Sequence, residues 1–142
     1  MTKLLRILMC TLAALSFCQA ATAARPSKPM DTFENLPIQT TSGKALTRAQ
    51  IQAAIIQAGK QRDWIIKPAA DGTLAAHIDV RQHSVDLAIR FDTKKYDIQY
   101  KNSTNLGYEI NKADATRPLI HPSYNKWVHN LVSDINKEFH RQ

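Results

Sequence analysis

Past residue 18 the chain has no cysteine, because both of its thiols, Cys10 and Cys18, fall near the N-terminus. The remainder therefore has no disulfide staple, no thiolate nucleophile and no cysteine ligand for zinc. Glycine is scarce too. The chain carries four, and none makes a Gly-x-Gly or a Gly-Lys-Ser/Thr arrangement, so a phosphate-cradling loop is excluded. No Gly-x-Ser-x-Gly elbow occurs, which removes a local signature of serine hydrolases. Long apolar runs are also missing; the one near residues 7–17 is much shorter than the roughly 20 residues needed to cross a bilayer.

That short run reads as something else. Lys3 and Arg6 precede it, and Ala21-Thr22-Ala23, a small-x-small cleavage signal, follows it. This is the layout of a secretory signal peptide over residues 1–23, and the expected location is periplasmic or secreted. Cleavage would leave residues 24–142, about one domain, held together by packing alone. Lipidation of Cys18 is a second reading, weakened by Phe17, since lipoprotein signals place a small residue before the cysteine. The formal charge of +7 falls to +5 without Lys3 and Arg6. A moderately basic protein suits acidic partners such as anionic lipid, cell-wall polymer or nucleic acid. The basic residues are interleaved with Asp and Glu, however, and this pattern reads first as a solvated surface.

Residues 24–45 are rich in Pro, Ser and Thr and read as a flexible leader, with Phe33, Leu36 and Ile38 available to dock on the domain edge. A single domain is expected over residues 46–142. Thr47-Arg48-Ala49-Gln50 predicts a capping box, Leu46 and Ile51 a hydrophobic staple, and Gly59 a left-handed helix stop. From Trp64 the apolar period changes to two. Trp64–Lys67, Thr73–Val80, His83–Phe91 and Tyr96–Lys101 read as strands joined by short polar turns, each of the longer three with one apolar face. In the last stretch Tyr124, Trp127, Val128, Leu131, Ile135 and Phe139 share one face of a helix. The predicted fold is α+β: a four-stranded antiparallel meander with two helices, in the order α-β-β-β-β-α, packed on one face.

Chemistry is sparse in this pattern. The histidines His77, His83, His121, His129 and His140 form no short ligand motif, so no metal or other cofactor is implied. Tyr96 and Tyr100 share the phase of Ile98 and are expected to be buried, which argues against a base-stacking platform for nucleic acid. The open sheet face, with His77, Asp79, Arg81, Asp86, Arg90, Asp97, Gln99 and Lys101, reads as cross-strand charge pairing. The informative cluster lies between the last strand and the last helix. Asn102, Ser103 and Asn105 leave the sheet, and His121 stands before Pro122 as an unusual helix cap, with Tyr124 and Asn125 one turn later. Arg62 and Trp64, at the start of the first strand, are candidates to adjoin them.

The set Arg62-x-Trp64, Ser103-x-Asn105-Leu106 and Ile120-His121-x-x-Tyr124-Asn125-x-Trp127 resembles a group of short, uncharacterised exported proteins and lipoproteins of Gram-negative bacteria. The resemblance runs from about Leu46 to Phe139 and implies an envelope location and a compact domain. Gly107 to Pro118 reads as an insertion that reshapes the rim of the cluster. The leading functional expectation is a non-enzymatic module binding an unknown envelope protein or an anionic envelope component. The alternatives are a small-ligand or hydrolytic site using His121 with Ser103 or Tyr124, and a binder of anionic polymer or lipid.

Overall fold

The computed structural model describes residues 25–142, so the signal peptide expected over residues 1–23, with Cys18, lies outside the described residues. Helix α1 (Arg48–Lys60) begins as its sequence dictates: the Thr47 hydroxyl accepts the Gln50 amide, and the Gln50 side chain accepts the Thr47 amide at 2.9 Å. Ile51, Ala54, Ile55 and Ala58 are its buried stripe. Its end differs from expectation. Gly59 is an ordinary helical residue, and Asp63, at φ 62°, supplies the left-handed turn. What requires glycine at 59 is proximity: an added Cβ would meet Ile66 Cδ1 at 2.5 Å and Ile66 Cγ1 at 2.8 Å.

The four anticipated strands are present as β3 (Ile65–Pro68), β4 (Leu74–Val80), β5 (His83–Phe91) and β6 (Lys95–Thr104), consecutive and antiparallel. A fifth strand corrects the four-stranded prediction. The stretch read as leader contributes β1 (Lys28–Pro29), paired with β7 (Leu119–Ile120), and β2 (Phe33–Pro37), which flanks β6. The main sheet order is β2-β6-β5-β4-β3. Low apolar content concealed β2, because a sheet-edge strand needs few buried side chains: only Phe33 is fully buried and Leu36 half-buried.

Helix α2 (Ser123–His140) and α1 cover one face of the sheet. Tyr124, Val128, Leu131, Ile135 and Phe139 are buried, each large side chain contributing about 1.5–3 kcal/mol. Trp127, expected with them, is only partly buried and sits at the rim. Two acids of the same helix, Asp134 and Glu138, are buried as well. No described helix is long and apolar enough to cross a membrane.

The α1–β3 contact yields a direct test. Gly59→Ala should lower unfolding free energy by about 1–3 kcal/mol through overpacking on Ile66, and adding Ile66→Val should recover part of the loss; urea denaturation of the three proteins measures both.

Candidate functional site

The first turn of α2 is built by His121, although not as the formal cap. Pro122 occupies the cap position and has no side chain able to accept a hydrogen bond. His121 Nδ1 accepts the Ser123 amide at 3.1 Å, and its own amide donates to the Leu106 carbonyl at 2.8 Å. An imidazole thus substitutes for the missing cap oxygen, which answers why so poor a capping residue stands here. Because Nδ1 accepts a hydrogen bond, the ring proton resides on Nε2.

Around His121 the chain brings together residues from three elements. Asn105 lies in the left-handed region at φ 57°; its side-chain amide donates to the Gln82 carbonyl at 2.6 Å and its own carbonyl accepts from His83 Nδ1 at 2.9 Å. His83 in turn stacks on His121, with ring centroids 5.9 Å apart and planes 21° apart, and lies 6.2 Å from Trp127. The sequence reading took His83 only as one of five scattered histidines and placed Trp127 on the apolar face of the last helix, and neither as part of this cluster. His83 follows the Arg81-Gln82 turn, and the pairing of Ser84 with Thr104 sets it beside Asn105; counting register back from the hairpin would have found it.

The other candidates fall elsewhere. Ser103 is carried to the core side of the sheet by a bulge: Asp86 pairs with Asn102 and Leu87 with Tyr100, so Lys101 is the extra residue and the side-chain phase shifts. The Ser103 hydroxyl bonds the Tyr100 phenol at 2.9 Å, and among the described residues no histidine bonds it. The same bulge turns Asn102 to the open face, exposed and opposite Asp86. Tyr124 is buried, and burial, with smaller contributions from Tyr100 and Asp31, pushes its phenol well above the ordinary tyrosine value. Asn125 is a clamp on the segment read as leader: it accepts the Asp31 amide at 3.1 Å and donates to the Pro29 carbonyl at 3.0 Å. Asp31 is the hub there, its carboxylate shared by His129 at 2.9 Å and Arg117 at 3.4 Å.

Arg62 and Trp64 do not adjoin this cluster. Trp64 is buried beside Gly59. Arg62 pairs with Asp134, ten residues beyond Tyr124 and so roughly 15 Å further along the helix. Burial alone would raise the Asp134 carboxyl, but hydrogen bonds from Arg62 and Lys137 outweigh it and hold the carboxyl below its ordinary value. On the open face His77 is gripped by Asp86 at 2.7 Å and Asp79 at 3.1 Å, which raises its ring above the ordinary histidine value. Among the described residues no group of histidines and acids is placed to hold a metal ion.

The Asp134 environment sets an acid response. A carboxyl depressed by folding adds stability that is fully present above its ordinary value of 3.8 and is lost as pH falls further. Asp134→Asn should therefore cost about 1–3 kcal/mol at neutral pH, and the gap to the unaltered protein should close in acid; chemical denaturation across pH reads both. The chain matches no protein-family model, no curated protein and no solved structure.

Proposed function

We infer that this chain is an exported, non-enzymatic module that binds a protein or another component of the cell envelope at the rim formed by His83, Asn105, His121 and Trp127. The observation that carries this reading is the aromatic trio itself. His83 stacks on His121 and lies beside Trp127, all three rings are partly exposed, and hydrogen bonds fix the two histidines before any partner arrives. Preordered aromatic rings supply contact area at low entropic cost, which is why tryptophan dominates the energetics of many interfaces.

The ring nitrogens add a polar pattern. His83 Nδ1 faces a carbonyl and must donate, so Nε2 is an acceptor in the neutral ring; His121 Nδ1 accepts, leaving Nε2–H as a donor. The patch thus offers one donor and one acceptor beside apolar ring surface. The bond between the Ser103 hydroxyl and the Tyr100 phenol supports binding over a hydrolytic use of Ser103 with His121. The basic N-terminal region with its small-x-small signal, and the resemblance to exported proteins, support an envelope location.

Capture from envelope extract tests the reading, with Trp127→Ala and His83→Ala compared against the unaltered protein. Retention of the partner should fall at least about tenfold in Trp127→Ala while the melting temperature drops by only a few degrees. Equal capture by all three proteins sinks the proposal. Retention on an anionic matrix that collapses with salt and ignores both substitutions would favour the anionic-polymer alternative. Asn125→Ala is a poor probe, because it releases the Pro29–Asp31 segment.

A further inference from the structure

A cavity of about 340 Å³ opens between residues 30–34, the middle of β6 and the 108–118 loop. None of its lining belongs to the rim just described. Its aromatic wall is a set of three tyrosines. Tyr108, 46% exposed, lies parallel on Tyr100 with centroids 4.8 Å apart and planes 2° apart. Tyr100 meets the buried Tyr124 edge-on at 5.7 Å, and its phenol is tied to Ser103. The exposed ring therefore rests on a braced support, and a tyrosine ring is cheap to order because it has few rotatable bonds.

The charge of the lining runs against the charge of the chain. The chain carries a formal +7, yet the charged residues lining this cavity are both acids, Asp31 and Glu34. Asp31 is shared between His129 and Arg117. Glu34 is exposed and makes no ion pair among the described residues. An aromatic face is negative at its centre and attracts a cation, and an adjacent free carboxylate adds to that attraction. An anion would be repelled by Glu34. A neutral sugar would stack on Tyr108 with an affinity that salt leaves unchanged.

We propose that this cavity binds an organic ammonium group, primary or quaternary, laid against the face of Tyr108 with Glu34 as its counter-charge. The volume sits at the small end of the ligand-pocket range of roughly 300–1,000 Å³, which suits a headgroup or a short diamine. The same ammonium chemistry is carried by free amines and by zwitterionic lipid headgroups, and the test separates the two.

The experiment titrates the purified protein with choline, with 1,4-diaminobutane and with N-acetylglucosamine, following the tyrosine ring resonances by NMR. Co-sedimentation with vesicles of phosphatidylcholine and phosphatidylethanolamine is run beside vesicles of phosphatidylglycerol. The expected result is that an amine shifts the Tyr100 and Tyr108 rings, more weakly as salt rises. Glu34→Gln and Tyr108→Ala should each weaken binding about threefold or more. Both side chains are exposed, so the melting temperatures should be unchanged. Ring shifts with the soluble amines assign the ligand to free amines. Glu34-dependent sedimentation with the zwitterionic vesicles alone assigns it to lipid. The proposal is overturned if neither occurs, if N-acetylglucosamine shifts the rings as strongly as the amines, or if Glu34→Gln leaves binding intact. Should Tyr108→Ala fail to fold, Glu34→Gln decides alone.

Discussion

Burial of one face of α2 is the interaction on which the rest of this structure depends. Leu131, Ile135 and Phe139 lie fully buried against the sheet and α1, and the polar contacts of the helix are arranged at its two ends around that apolar middle. At the far end Asp134 takes Arg62 and Lys137, while Glu138 takes Gln61 at 2.6 Å and Arg141. At the near end Asn125 and His129 hold residues 29–31, and His121 anchors the turn to Leu106. Buried acids are tolerable only when their charge is compensated, and here each compensating cation keeps its other side toward water.

Regular elements with a strong period were legible from the residues. The capping box of α1 and the alternation of Leu87, Ile89 and Phe91 or of Tyr96 and Ile98 gave the helices and the central strands their positions, because each encodes a local geometry in a few adjacent residues. What stayed hidden is non-local. β2 exists because β6 offers it an unpaired edge, and the stretch 28–37 has no period of its own to announce that. Gly59 looked like punctuation and is a contact, since its partner Ile66 becomes a neighbour only after the chain reverses at Asp63.

The candidate site was legible in part and for the same reason. His121 and Asn105 were singled out for their unusual context, and they share His83 as a neighbour, which stacks on one and bonds the carbonyl of the other. Their company was mispredicted. A one-residue bulge at Lys101 moved Ser103 to the opposite side from the one its phase implied, and half a helix separates Arg62 from His121. His83 was passed over because one histidine at the end of a strand is unremarkable until the register sets it against another ring.

The edge strand has a consequence for how this chain is assembled. Asp31 and Asn125 are separated by 94 positions, and the bonds between Asn35, Asp97 and Lys95 span 60 or more. A chain delivered N-terminus first presents residues 28–37 before any of their partners exists, and closing so long a loop carries an entropic cost that local elements avoid. This early stretch is therefore among the last to be placed. Until residues 28–37 dock, the β6 edge and the side of α2 that carries Asn125 and His129 stand open, and placement of that segment is the event that seals them.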